Sequence, residues 1–198
     1  MNDEKELVDR LSRGEAGAFQ ELAERNKRKV YYLALDIVGN HADAEDISQE
    51  VFIKIYRAFK TFKREAKLGS WLYRVTVNAS IDHLRRKSAL PETSQSDLFG
   101  NDDRVLALAS GEFGSDPARK AEGQLMQRQI DKALQKISAQ ERSVFVMRHY
   151  HDLPLKDIAE AMNVSIGSVK SYLFRGLKKI QKELAGGGAN PPTEVGHE

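Results

Sequence analysis

The chain of 198 residues contains no cysteine, one tryptophan and five prolines. Without cysteine, disulfides, thiolate zinc sites and cysteine nucleophiles are excluded. No apolar run approaches the roughly 18 residues that a membrane span requires. Residues 1–10 are charged and lack the apolar segment of a secretory signal. We therefore expect a cytoplasmic protein without membrane insertion, long enough for one large domain or two small ones.

Positive and negative charges nearly cancel, since 31 basic residues face 29 acidic ones, yet they are segregated along the chain. Residues 36–50 carry five acids and no lysine or arginine, and residues 54–87 carry ten basic residues against two acidic ones. Residues 88–118 carry six acids against one arginine, and residues 155–184 carry six basic residues against three acids. Basic blocks suit phosphate contact, although solvated helix faces explain charge alone equally well.

The spacing of apolar residues predicts an all-α protein. Residues 4–87 contain no proline, and Ile47, Val51 and Ile55 recur at i, i+4 steps that Phe59 continues. We predict four or five helices in this part. Asp43 is predicted to cap the N-terminus of one helix, and Ser70 that of another from Trp71 to about Lys87.

The second half begins after a segment of different composition. Residues 88–116 are rich in glycine, serine and aspartate and predict an extended linker. Asp116 and Pro117 predict the start of a helix that runs to about Lys136, with apolar residues available for burial at Leu125, Ile130 and Leu134. A capping box, Ser138 to Glu141, precedes the next helix. The sequence thus divides into two small helical domains (residues 1–87 and 117–185), the linker (88–116) and a disordered tail (186–198).

Residues 155–180 have the pattern of a helix-turn-helix. Ile158 and Ala159 lie on a first helix, Asn163 suits a left-handed turn, and Ser165 caps a second helix. An ordinary helical hairpin with a basic face is the alternative. Lysine, serine and arginine suit base edges and phosphates in the major groove. The second helix presents Ser168, Lys170, Ser171, Tyr172, Phe174, Arg175 and Lys178.

An acidic face is predicted on an earlier helix. Asp46, Gln49 and Glu50 stand at i, i+3 and i+4, opposite the apolar stripe. A basic protein partner would relieve their mutual repulsion. The alternative is that the positive end of the helix dipole favours acids in the first turn.

Aromatic and basic residues then alternate, a composition that suits single-stranded nucleic acid, because bases stack on rings while cations follow the backbone. Asn78 stands one turn after Arg74 and offers an amide that can read a base edge. The alternative is that the rings belong to the core and the cations are only solvated. The residues in this set are Tyr56, Phe59, Phe62, Trp71 and Tyr73 with Lys60, Lys63, Arg64, Lys67, Arg74, Arg85, Arg86 and Lys87.

These motifs together resemble a known family. Residues 43–52 (DAEDISQEVF), followed by residues 71–75 (WLYRV) with Asn78, Asp82 and Arg85, resemble conserved region 2 of bacterial sigma factors. The helix-turn-helix resembles their region 4. Two such regions joined by a short linker are similar to the extracytoplasmic-function (ECF) group. Leu68 stands where an aromatic residue is frequent in that group, and Lys170 and Tyr172 stand where arginine is common.

The resemblance implies partners and site residues. The clamp helices of the largest subunit of core RNA polymerase would be bound by Asp43, Asp46, Gln49 and Glu50, and the polymerase flap would be a further contact. The acidic linker would follow the path towards the active-site cleft and the RNA exit. The −35 duplex would be read by the exposed set of the helix-turn-helix. An anti-sigma factor is a further candidate partner. The melted −10 strand would be captured by Phe62, Arg64, Lys67, Trp71, Tyr73, Arg74, Asn78, Arg85 and Arg86.

Two other classes of function are alternatives to this interpretation. A stand-alone helix-turn-helix regulator explains residues 155–180 but leaves the acidic face and the Trp71 block without a role. For an enzyme, the only histidine cluster is His149 and His151 beside Asp152, and residues at i and i+2 do not face one site on a helix. Since neither a glycine-rich phosphate loop nor a nucleophile motif occurs, we expect no catalytic residue, metal or cofactor.

Overall fold

A computed structural model describes residues 2–15, 17–58, 68–89 and 117–186. These ranges form eight α-helices and contain no strand, which confirms the all-α prediction. None of the helices in the described ranges is long and apolar enough to cross a membrane. Nearly all of the predicted linker and of the C-terminal tail lies outside the described residues.

Four helices form the first half: α1 (Asn2–Ser12), α2 (Ala18–Val38), α3 (His41–Ala58) and α4 (Leu68–Ser88). Helices α2, α3 and α4 pack against one another, and α1 packs against α2. The stripe predicted on α3 is the side that faces this core, since Ile47, Val51 and Ile55 are at most 1% exposed. Burying such side chains contributes about 1.5–3 kcal/mol each. The stripe therefore leaves the opposite side of α3 to solvent.

Both N-caps predicted in this half are wrong. Helix α3 begins at His41, because the Asn40 side chain accepts a hydrogen bond of 2.8 Å from the Asp43 backbone N–H. Asn40 is therefore the capping residue and Asp43 lies in the first turn. Helix α4 begins at Leu68, so Ser70 lies inside the helix. The earlier start places Leu68, 5% exposed, in the core one turn before Leu72.

The second half contains α5 (Pro117–Gln135), α6 (Ala139–His149), α7 (Leu155–Met162) and α8 (Ile166–Gly186). The capping box is confirmed, with Ser138 accepting from the Glu141 N–H and Glu141 accepting from the Ser138 N–H. Of the apolar residues predicted for burial on α5, Leu134 is 3% exposed but Leu125 is 58% exposed. Among the α5 side chains that the structure describes, the buried ones in the cluster with Ile180 and Leu184 of α8 lie at its C-terminal end.

The two halves pack directly against each other, which the sequence pattern did not predict. Helix α7 contacts α4, and α6 contacts both α2 and α4. One continuous buried cluster contains Leu72 and Val77 of α4 together with Ile158 and Val169 of the helix-turn-helix. The arrangement places the end of α6 and the loop after it next to α2 and α4.

Candidate polymerase and promoter interfaces

The turn of the helix-turn-helix has the predicted geometry. Asn163 ends α7 with φ 53° and ψ 47°, and the Val164 N–H donates to the Ala159 carbonyl at 3.0 Å. Ser165 Oγ accepts from the Ser168 N–H at 3.0 Å and caps α8. Asparagine tolerates the left-handed conformation better than other residues with a Cβ, so local sequence is sufficient to set this turn.

Helix α8 turns its polar side outward. Val169, 0% exposed, packs in the core, while Phe174 on the opposite side is 69% exposed. Ser168 and Tyr172 are half-buried, and the Arg175 guanidinium carbon lies 5.2 Å from the centre of the Tyr172 ring. The rest of the predicted −35 set lies along the exposed face: Lys170, Ser171, Phe174, Arg175 and Lys178.

A buried carboxylate holds this helix against α6. Glu141 is 3% exposed, and its oxygens accept from Lys179 Nζ at 2.8 and 3.0 Å. Arg175 Nε lies 3.5 Å from the same carboxylate. Burial acts to raise the pKa of Glu141, but the hydrogen bonds from Lys179 and Ser138 outweigh it and lower that pKa. Glu141 therefore joins the start of α6 to the middle of α8.

The acidic face predicted on α3 is exposed. Asp46 and Gln49 face solvent and form no hydrogen bond or ion pair within the described ranges. Glu50 is half-buried and lies 2.6 Å from Lys54 Nζ and 3.7 Å from an Arg86 nitrogen. The hydrogen bond from Lys54 lowers the pKa of Glu50. Ile53, 51% exposed, extends this face by one turn and was not predicted to belong to it.

Asp43 differs from the other predicted polymerase contacts. Its Oδ2 accepts from Lys87 Nζ at 2.8 Å and lies 3.1 Å from His83 Nε2, while Asn40 donates to the same oxygen. Burial acts to raise the pKa of Asp43, but the hydrogen bonds from Lys87 and Asn40 outweigh it and lower that pKa. This carboxylate thus ties the start of α3 to the end of α4.

The predicted −10 residues of α4 fall into a buried and an exposed group. Trp71 is 8% exposed and belongs to the core. Asn78, by contrast, faces solvent, and within the described residues neither Asn78 nor the half-buried Arg74 has a hydrogen-bonding partner. Arg85 and Arg86 are exposed at the end of the helix. Phe62, Arg64 and Lys67 lie outside the described residues, as do Phe59, Lys60 and Lys63.

Tyr73 is enclosed by groups from other elements. Lys29 Nζ lies 4.6 Å from the centre of its ring, and the His151 ring packs edge-on with a centroid separation of 6.2 Å. Burial raises the pKa of Tyr73. His151 Nε2 in turn lies 2.9 Å from Asp36 Oδ2 of α2. A residue of the second half therefore covers one ring of the predicted −10 surface.

Arg142 forms a buried polar contact between the halves, and nothing in the sequence pattern marks it. It is 7% exposed, and it donates to the carbonyls of Leu134 at 2.7 Å and Ile37 at 3.1 Å. Burial lowers its pKa to about 10. Both carbonyls lie in the last turn of their helices, where acceptors lack partners within the helix, so one guanidinium caps α5 and α2 together.

Groups of three or more potential metal-binding side chains do not occur in the described part of the chain. His149 and His151 do not converge on one site, since His149 packs against Phe145 while His151 contacts Asp36 and Tyr73. The exposed functional groups instead lie on three helices: acids on α3, and polar or basic groups on α4 and α8.

Comparison with known proteins identifies both halves. The family Sigma-70 region 2 matches residues 22–89, and the family Sigma-70, region 4 matches residues 127–180. The ECF RNA polymerase sigma factor SigW of Bacillus subtilis is 29% identical over 184 residues, covering 91% of this chain and 96% of SigW. The RNA polymerase sigma-H factor of Pseudomonas aeruginosa is 28% identical and the ECF sigma-E factor of Escherichia coli also 28%. These two cover 93% and 90% of this chain, and 95% and 92% of their own lengths.

Solved structures share the fold. CnrH, solved in complex with the cytosolic domain of CnrY, superposes with a TM-score of 0.62 at 17% identity, covering 92% of this chain and 97% of CnrH. RpoE of Bartonella quintana, solved with the anti-sigma factor NepR, gives 0.60 at 20% identity, covering 86% of this chain and 98% of RpoE. With regions 2 and 4 in the expected order and relatives matched along nearly their whole length, the chain belongs to the ECF sigma factors and directs promoter-specific transcription initiation.

Proposed function

We propose that the three exposed helix faces divide the work of a sigma factor, with α3 binding core RNA polymerase, α4 capturing the melted −10 strand and α8 reading the −35 duplex. The domains are residues 1–87 for region 2, 88–116 for the linker and 117–185 for region 4, with a tail at 186–198. The observation that carries this proposal is that Asp46 and Asn78 are both exposed and unpartnered within the described residues, on different helices.

Binding to the polymerase clamp helices is tested by Asp46→Arg. We expect weaker binding to purified core polymerase with unchanged thermal unfolding, because the exposed Asp46 side chain forms no hydrogen bond or ion pair within the described part of the chain. Glu45→Arg is the matched control, since Glu45 is also exposed but lies about 100° around the helix from Asp46. Equal loss from both substitutions would indicate a general charge effect, and unchanged co-purification of Asp46→Arg would contradict the assignment.

Capture of the −10 strand is tested by Asn78→Ala on a pre-melted promoter. An amide that hydrogen-bonds an extruded base gives discrimination of about 1–3 kcal/mol, so we expect about tenfold loss of preference at one base position. Use of a pre-melted template removes the cost of strand separation, which leaves recognition as the measured step. An unchanged base preference would contradict this role.

Reading of the −35 duplex is assigned to the exposed face of α8, together with the half-buried Ser168 and Tyr172. Lys170 cannot form the two-pronged guanine contact that arginine forms, so the −35 sequence should differ from that of relatives with arginine there. Lys170→Arg should shift the selected −35 sequence, whereas Lys182→Arg, on an exposed position near the end of α8, should not. Promoter selection from a randomised library with holoenzyme is the measurement.

Further parts of the proposal concern partners and location. The acidic linker follows the polymerase channel towards the RNA exit, region 4 touches the flap, and the protein works in the cytoplasm. An anti-sigma factor is proposed as a regulator, supported by the fold shared with the RpoE that was solved with NepR. Sigma factors are DNA-binding regulators and not enzymes, so the proposed activity is a binding cycle. Transcription assays with purified core polymerase and this chain alone distinguish a sigma factor from a stand-alone regulator. A sigma factor would start transcription under these conditions, and a stand-alone regulator would not.

A further inference from the structure

Helix α2 carries a basic cluster that lies outside the three helix faces described above. Residues 25–29 include four basic side chains. Two of them are neutralised within the chain: Arg25 pairs with Asp3 and Glu21, and Lys27 pairs with Glu24. Arg28 and Lys29 are exposed, and neither forms a hydrogen bond or an ion pair within the described residues. The uncompensated positive charge of the cluster is therefore confined to this pair.

An aromatic ring lies on the same side of the helix as Arg28 and Lys29. Tyr32 stands four residues after Arg28 and three after Lys29, so the three side chains share one face. Its side chain is 42% exposed, and its ring packs edge-on against Tyr31 with centroids 5.4 Å apart. The Tyr31 hydroxyl is itself hydrogen-bonded to His41. Tyr32 is thus an exposed ring with a fixed neighbour, beside two cations that have no acidic partner among the described residues.

This face of α2 borders the proposed −10 surface. Lys29 Nζ lies 4.6 Å from the centre of the Tyr73 ring, which joins α2 to α4. Arg74 follows Tyr73 directly, and Asn78 lies about one turn beyond. Cations that follow a phosphate backbone and rings on which bases stack are the two components of a single-strand binding surface. The α2 face supplies both components and lies beside Tyr73, one of the residues predicted to contact the −10 strand.

We propose that Arg28, Lys29 and Tyr32 form a second strip of the single-strand site, which holds the sugar-phosphate backbone of the melted non-template strand. This inference rests on the proposed function of α4. Because Arg28 and Lys29 are assigned to phosphates and a ring stacks on any base, the contribution of the strip is independent of sequence. It sets affinity and the path of the strand, while Asn78 sets base preference.

The test uses the full chain bound to core polymerase and a labelled single-stranded oligonucleotide that carries the −10 sequence selected by this holoenzyme. The variant is Arg28→Gln with Lys29→Gln, and the control is Lys5→Gln with Lys27→Gln, the same loss of charge on the same domain. Affinity is measured against KCl concentration. Each lost phosphate contact lowers the slope of log K against log salt by about 0.7, so a decrease of about 1.4 is expected for the variant and none for the control.

Three further measurements distinguish phosphate contact from base stacking, from base reading and from contact with the polymerase. Tyr32→Leu should lower affinity without changing the slope, because stacking releases no counterions. The ratio of affinities for the −10 sequence and a scrambled sequence should be unchanged in Arg28→Gln with Lys29→Gln. A slope equal to the wild-type value would overturn the inference, and so would weaker binding of this variant to core polymerase, which would assign the face to a protein contact.

The same experiment separates this inference from the function on which it rests. If Asn78→Ala loses base preference while the α2 variant behaves like its control, the proposed role of the strip is wrong and the −10 assignment of Asn78 stands. If Asn78→Ala keeps the wild-type preference, the −10 assignment itself is wrong. A wild-type holoenzyme that does not bind the oligonucleotide would overturn both.

Discussion

Glu141 offers the most direct test of how the recognition helix is held in place. Its carboxylate accepts from the Ser138 N–H at 3.1 Å and from Lys179 Nζ at 2.8 Å, and it is almost fully buried. Glu141→Gln retains an acceptor for the Ser138 N–H but removes the negative charge opposite Lys179. Glu141→Ala removes both interactions. The pair of variants therefore separates the ion pair from the helix cap.

The magnitudes follow from these contacts. A hydrogen bond to a charged group is worth about 1.5–3 kcal/mol and a neutral one about 0.5–1.5. Because Lys179 is 50% exposed, solvent screens part of that difference, and we expect Glu141→Gln to cost about 1 kcal/mol. Losing the capping box adds about 1 kcal/mol, so Glu141→Ala should cost about 2–3 kcal/mol with its small cavity. For a chain of this size each kcal/mol lowers Tm by about 2–4 °C.

Dependence on pH provides a second measurement of the same interaction. The pKa of Glu141 is lower in the folded protein than in the unfolded chain, so the ionised carboxylate stabilises the fold above its unfolded pKa. That stabilisation is lost as pH falls through the folded pKa. In urea unfolding, the difference between wild type and Glu141→Gln should be complete at neutral pH and should vanish in acid.

A double-mutant cycle with Lys179→Met completes the test, because it isolates the coupling between the two side chains. We expect a coupling free energy of about 1 kcal/mol at neutral pH. A coupling below about 0.3 kcal/mol, or a wild-type advantage that persists undiminished in acid, would refute the reasoning.

Three other predictions concern stability. Gly176→Ala should stabilise by about 0.5–1 kcal/mol in urea unfolding, because a Cβ there meets Glu141 Cβ at 3.4 Å, an ordinary contact, and alanine favours the helix. Asp43→Asn should lower the free energy of unfolding by about 1–2 kcal/mol at neutral pH, because the hydrogen bonds that lower the pKa of Asp43, led by that from Lys87, favour the charged carboxylate. The difference from wild type should vanish in acid, and a loss undiminished in acid would contradict this. Arg142→Met should cost only about 1 kcal/mol, because the lost hydrogen bonds are offset by about 3 kcal/mol of relieved desolvation, taken from its pKa of about 10. Arg142→Ala should cost more through its cavity, and a loss of more than about 3 kcal/mol from Arg142→Met would contradict the offset.

Local sequence was enough for the helix-turn-helix and for the capping box. Asn163, Ser165 and Ser138 each act on backbone groups within three or four residues, so their geometry follows from residue type and spacing. The apolar stripe on α3 also predicted which side is buried, and thereby left Asp46 exposed. The first residue of a helix was not determined by local sequence, because several nearby residues can each act as the N-cap. Asn40 and Asp43 are both good caps, and Asn40 takes that position with its side chain on the Asp43 N–H.

Burial of the aromatic residues could not be predicted from sequence. Trp71 and Tyr73 are two residues apart in a run that suits either a core or a stacking surface. The structure buries Trp71 and places Tyr73 between Lys29 and His151. Their environments are set by helices distant in sequence, so no local pattern encodes them. The position of Lys29 beside Tyr73, on which the α2 strip depends, is likewise set by the packing of two helices that are distant in sequence.

The sequence by itself therefore determined the all-α class, the recognition helix and the segregation of charge, because these depend on residue type and on spacing along a single helix. Only the tertiary structure decided which charges are compensated. It pairs Asp43 with Lys87, buries Arg142 between two helix ends, and leaves Arg28 without an acidic partner among the described residues. The physical reason is that the electrostatic free energy of a charge depends on its distance to other charges and on its exposure to water, and both are properties of the packed helices.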